Sequence, residues 1–110
     1  MGTERREHER KPLRASGQLL LPNRAPMEVR TVDLSLGGMG VVVPANLAPK
    51  LACLVRVALP LKPKGSALME AQATVAHSVL SGNQAGFLVG LQFTSVSAAS
   101  AAAIKHFLHG

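Results

Sequence analysis

Turn-forming residues interrupt this chain so often that only short elements fit between them. Pro22-Asn23 and Pro26, Gly37-Gly38, Pro44, Pro49, Pro63 to Ser66 and Ser81-Gly82-Asn83 fall at close spacing along the sequence. Proline presets φ and removes a donor, glycine admits φ above zero, and Asn and Ser bond nearby amides, so each cluster ends a strand or starts a turn. Short apolar runs lie between them, which is the pattern of a small barrel or sandwich.

Six runs read as strands: Gly17 to Leu21, Met27 to Leu34, Met39 to Val43, Leu51 to Leu61, Leu68 to Leu80 and Phe87 to Phe93. Alternation assigns their faces. Val55, Val57 and Leu59 share one side with Arg56 on the other; Ala71, Ala73 and Val75 do the same in the fifth run, and Phe87, Val89, Leu91 and Phe93 in the sixth. The second run alternates imperfectly through Met27, Val29, Thr31 and Leu34. The tail changes period. Ser97 is a good N-cap, Ala98 to Leu108 is rich in helix formers, and Ile104, Phe107 and Leu108 make one apolar face. That face can cover a barrel opening or meet a partner. The expected organisation is an exposed arm over residues 1–12, a β-barrel over 13–96 and a helix over 97–109, one domain in all.

The formal net charge of +6 favours an anionic partner. Six of the seven arginines, Arg5, Arg6, Arg10, Arg14, Arg24 and Arg30, lie in the first third. Arginine offers a rigid donor fork suited to phosphates and to the O6/N7 edge of guanine. With three Phe and no Tyr or Trp, the chain lacks the stacking platforms of single-strand binders, so a nucleic-acid partner is not expected. The one cysteine, Cys53, fits a reducing compartment and sits in an apolar run as a structural thiol. No run approaches the ~20 residues of a membrane span. The charged start has no apolar segment behind it, so a secretory leader is not expected and a cytoplasmic setting is the simplest reading. Six carboxylates, with no nucleophile beside an evident base, give no catalytic set. His8, His77, His106 and His109 show no metal-ligand spacing, so neither an enzyme nor a metal site is expected.

Two motifs remain. Arg5, Arg6 and Arg10 place three guanidiniums on the polar arm, and Asp33-Leu34-Ser35-Leu36-Gly37-Gly38 places a carboxylate, a hydroxyl and two glycines at a strand end. Singly each is ordinary: Arg10 and Arg14 repeat the four-residue spacing, and Asp-x-Ser before Gly-Gly is common turn chemistry. A carboxylate can accept paired donors from the Watson–Crick edge of guanine, Ser35 can add a bond, and Gly38 leaves room for a base or sugar.

Jointly, the pattern resembles the PilZ domain. R-R-x-x-x-R is matched by Arg5, Arg6 and Arg10, and D-x-S-x-x-G by Asp33, Ser35 and Gly38. Val89-Gly90-Leu91-Gln92-Phe93 is similar to the family's last barrel strand, and a closing helix follows. The resemblance implies a six-stranded antiparallel β-barrel with a C-terminal α-helix, acting as a bacterial cyclic di-GMP receptor without a cofactor. It implies that Arg6 and Arg10 bind phosphates and guanine faces, that Asp33 and Ser35 hold a guanine edge, and that Gly38, beside Gly37 in the same ligand-binding set, keeps the surface open. Arg5, in the position before R-x-x-x-R, implies two stacked ligand molecules per chain. The output would pass to a downstream protein through the changed surface of arm and barrel. The competing readings are an adaptor working through Ile104, Phe107 and Leu108 without nucleotide, and a small basic barrel for nucleic acid.

Overall fold

The structure is a computed structural model that describes residues 10–83 and 85–109. Its elements are β1 (Lys11–Pro12), β2 (Ser16–Leu20), β3 (Met27–Leu34), β4 (Gly38–Val43), β5 (Ala52–Pro60), β6 (Ser66–Ser81), β7 (Gly86–Val96) and α1 (Ala98–His109). Every pairing is antiparallel. The order β3-β2-β5-β6-β7-β4 returns to β3, so six strands close into a barrel with β1 added alongside β3. Closure satisfies the strand edges that an open sheet would expose. The six strands and the terminal helix are those expected from the sequence.

Most strand ends shift by one or two residues, and two differences matter more. β7 continues past Phe93 because Ser95 and Val96 pair with Gln72 and Ala71. Lys11 and Pro12, read as the end of the arm, pair with Leu34 and Asp33. β1 and β2 lie end to end along β3, since Ser16 faces Arg30 further down the same strand. The link between them carries the buried Leu13 inward. Its backbone is satisfied by β3: Leu13 N donates to Val32 O at 3.0 Å and Thr31 N to Ala15 O at 2.9 Å. The buried Thr31 hydroxyl accepts from Ala15 N at 2.9 Å and donates to Leu13 O at 2.7 Å. A valine there would fill the same space and leave both groups unpaired.

The core follows the alternation. Val55, Val57 and Leu59 from β5 meet Met69, Ala71, Ala73 and Val75 from β6, all buried. Cys53 belongs to this layer, and burial pushes its thiol up to about 11, so at neutral pH it is a small apolar side chain with almost no thiolate.

Helix α1 is capped as expected: Ser100 N donates to Ser97 Oγ at 3.1 Å. Its face is spent on the barrel. Ile104 and Phe107 are buried in the core, so they are not the free surface that the adaptor reading needed. β7 ends opposite Ala71, and the amide of Glu70, the β6 residue just beyond, donates to the buried Ser100 hydroxyl at 3.0 Å. Ser100→Ala is therefore expected to cost about 1–3 kcal/mol by leaving that amide unpaired. Urea unfolding measures it; a midpoint equal to wild type would contradict the role.

Candidate functional site

Strand β3 delivers Asp33 to the outer wall of the barrel through a bulge. Thr31 faces Val41, but Asp33 faces Gly40, so Val32 is the extra residue. The inward set therefore runs Val29, Thr31, Leu34, and Asp33 turns outward where unbroken alternation would bury it. Gly40 makes room for it. A Gly40 Cβ would stand only 2.9 Å from Asp33 Oδ1, and that oxygen accepts from Gly40 N at 2.9 Å.

The other carboxylate oxygen accepts from Arg10 Nη1 at 3.3 Å. Arg10 and Asp33 are 23 positions apart in sequence and meet because Lys11–Pro12 pairs with the end of β3. The pair is long and half in water, with 52% of the Arg10 side chain and 24% of Asp33 exposed. Such a contact stabilises by less than about 1 kcal/mol and opens readily.

The turn from β3 to β4 is built around Ser35. Its amide donates to Gly38 O at 2.9 Å, and its hydroxyl accepts from Gly37 N and Gly38 N, both at 3.2 Å. Gly37 O in turn accepts from Phe93 N at 2.8 Å, which pins the turn to β7. Gly38 is required by close packing: a Cβ there would stand 2.1 Å from the Leu91 carbonyl oxygen. Ser35 and Gly38 thus have structural reasons of their own, whatever else they touch.

These residues wall a hollow of about 470 Å³, within the range of small-ligand sites. Arg10, Ser35, Gly37 and Gly38 line it together with Ala76, His77, Gly90 and Gln92. Asp33 stands beside it, reached through Arg10. Arg5 and Arg6 lie outside the described residues. A slightly larger hollow, about 520 Å³, lies over Arg14, Arg30 and Val42. It includes none of the Ser-Gly-Gly turn, so the chemistry favours the first. Sequence reasoning missed His77 and Gln92 as wall residues. The available signal for His77 was a break in alternation after Ala71, Ala73 and Val75.

Among the described residues, no group of three or more His, Cys, Asp or Glu could hold a metal ion. No described helix is long and apolar enough to cross a membrane.

The closed barrel thus carries on its outer face a hollow walled by Arg10 and the Ser35–Gly38 turn. Residues 4–110 match the PilZ domain, and the chain belongs to that family, the non-catalytic receptors for c-di-GMP. Its fold is similar to the Bacillus subtilis inhibitor of motility MotI/DgrA, with a TM-score of 0.81 and 15% identity over 97% of this chain and 51% of that one. Escherichia coli YcgR in complex with c-di-GMP gives 0.75 and 20% identity over 96% and 45%. The chain spans about half the length of these two proteins. The PilZ domain of YcgR with c-di-GMP gives 0.64 and 18% identity over 96% and 90%. At these identities the likeness is one of fold. Curated protein sequences give no match.

Proposed function

We propose that this chain is a cytoplasmic bacterial receptor that binds c-di-GMP in the hollow between Arg10 and the Ser35–Gly38 turn and signals through altered protein contacts. The observation that carries it is the meeting of the two motifs: Arg10 and Ser35, Gly37 and Gly38 wall one hollow, and Arg10 touches Asp33. The YcgR PilZ domain of the same fold was solved with c-di-GMP.

On this reading the ligand replaces the Arg10–Asp33 contact. Arg10 turns to a phosphate or a guanine face, and the freed Asp33 oxygen accepts from a guanine edge while Gly40 N holds the other. The exchange is favourable because a weak, hydrated ion pair gives way to charge-assisted bonds worth ~1.5–3 kcal/mol each. Arg6 would join Arg10 on the phosphates and guanine faces, as the family motif implies. Arg5 would add a second stacked molecule.

Calorimetric titration with c-di-GMP, with GTP and cyclic GMP as controls, tests the reading. Selective binding of c-di-GMP is expected, with a stoichiometry near two if Arg5 has the role given to it. Absence of binding, or equal binding of GTP, would overturn it.

A further inference from the structure

His77 reaches the hollow through a second bulge that mirrors the one at Asp33. Val75 faces Leu91, but His77 faces Gly90, so Ala76 is the extra residue in β6. Ala71, Ala73 and Val75 point inward and are buried; unbroken alternation would send residue 77 after them. The bulge turns the imidazole outward instead. Asp33, Gly40, Gly90 and His77 consequently stand in one row across four strands. Two bare glycines occupy its middle, and a re-aimed polar side chain stands at each end. Bulges placed beside a site to redirect a side chain are a recurrent device.

The ring lies flat on the glycine next to it. A Cβ on Gly90 would stand 2.3 Å from His77 Cε1 and within 3 Å of both ring nitrogens. Gly90 is thus a seat that only a residue without a side chain can provide, and it fixes where the imidazole sits. His77 is exposed and walls the same hollow as Arg10 and the Ser35–Gly38 turn. An exposed planar ring held on a glycine gains nothing from burial, yet offers a flat face to a ligand. Purine bases stack on such rings; besides its four histidines the chain has only Phe87, Phe93 and Phe107 as aromatics, and of these Phe93 alone also lines the hollow, packed against the core.

We propose that His77 is the stacking platform for a purine base of the ligand, with Gly90 as the residue that positions it. The inference rests on the receptor reading above and adds a specificity residue from outside both motifs. A planar base lies against the imidazole, while Arg10 and the turn hold its phosphate and edge. Ligands that carry phosphate without a base gain nothing from this wall.

The test is calorimetry with c-di-GMP on the wild-type chain, His77→Ala, His77→Phe, Gly90→Ala and the double variant. His77→Ala is expected to weaken binding about tenfold, the scale of one lost base–ring stack. His77→Phe should restore most of it. Gly90→Ala should weaken binding by displacing the ring, and should add no further loss once His77 is already Ala, because it acts through that ring. In the wild type, the His77 Cε1–H resonance should move upfield as the ligand is added. Wild-type binding with His77→Ala unchanged, or additive losses in the double variant, would overturn the role of His77 and leave the receptor reading standing. A wild-type chain that does not bind would overturn the receptor reading itself.

Discussion

Gly38→Ala is expected to lower the thermal midpoint by roughly 12–24 °C. The new Cβ would stand 2.1 Å from the Leu91 carbonyl oxygen. Backbone cannot swing aside as a side chain can, so β4 must separate from β7 along the paired register from Gly38 opposite Gln92 to Val43 opposite Phe87. Overpacking of this kind costs roughly 3 kcal/mol, and in a domain of this size each kcal/mol moves the midpoint by about 4–8 °C. Gly40→Ala is the control. Its Cβ would stand 2.9 Å from Asp33 Oδ1, the end of a movable side chain. That variant should stay close to wild-type stability while displacing the carboxylate and weakening ligand binding. Differential scanning calorimetry of the two proteins separates the outcomes. Equal midpoints would mean that the β4–β7 contact is looser than described.

Arg10→Ala is expected to do the reverse: lower affinity for c-di-GMP at least tenfold and leave folding almost unchanged. Among the described residues its side chain makes one hydrogen bond, the 3.3 Å bond to Asp33 across a half-exposed pair, worth less than about 1 kcal/mol to the fold. Its value to the ligand is larger, because a guanidinium can give parallel bonds to phosphate or to a guanine edge. Arg10→Lys keeps the charge and loses the fork, so its affinity should fall between the two. Should Arg10→Ala bind as tightly as wild type, the site assigned to the hollow would be wrong.

The sequence was informative where signals are local. Proline and glycine clusters bounded six strands, Ser97 marked the helix start, and alternation sorted Val55, Val57 and Leu59 from Arg56. The motif residues were also visible, because residue type and spacing carry them. What could not be read is set by the partner strand. A bulge at Val32 or Ala76 depends on which residue lies opposite, and the glycines that accommodate Asp33 and His77 are Gly40 and Gly90, one on β4 and one on β7. The only trace along the chain was imperfect alternation at Thr31 to Leu34, and its end after Val75. Lys11 and Pro12 carried no strand signal either. Two residues become a strand only because the end of β3 is there to pair with them. The helix face was legible as apolar, but whether it met a partner or the barrel depended on packing: Ile104 and Phe107 are buried.

Amide chemical-shift mapping during titration with c-di-GMP reports where the ligand sits as well as whether it binds. The largest shifts are expected on Gly37, Gly38, Gly90 and Gln92, with the Arg10 side chain moving alongside them. Shifts concentrated on the far wall, around Leu20, Ala52 and Leu54, with Gly37 and Gly38 unmoved, would contradict it.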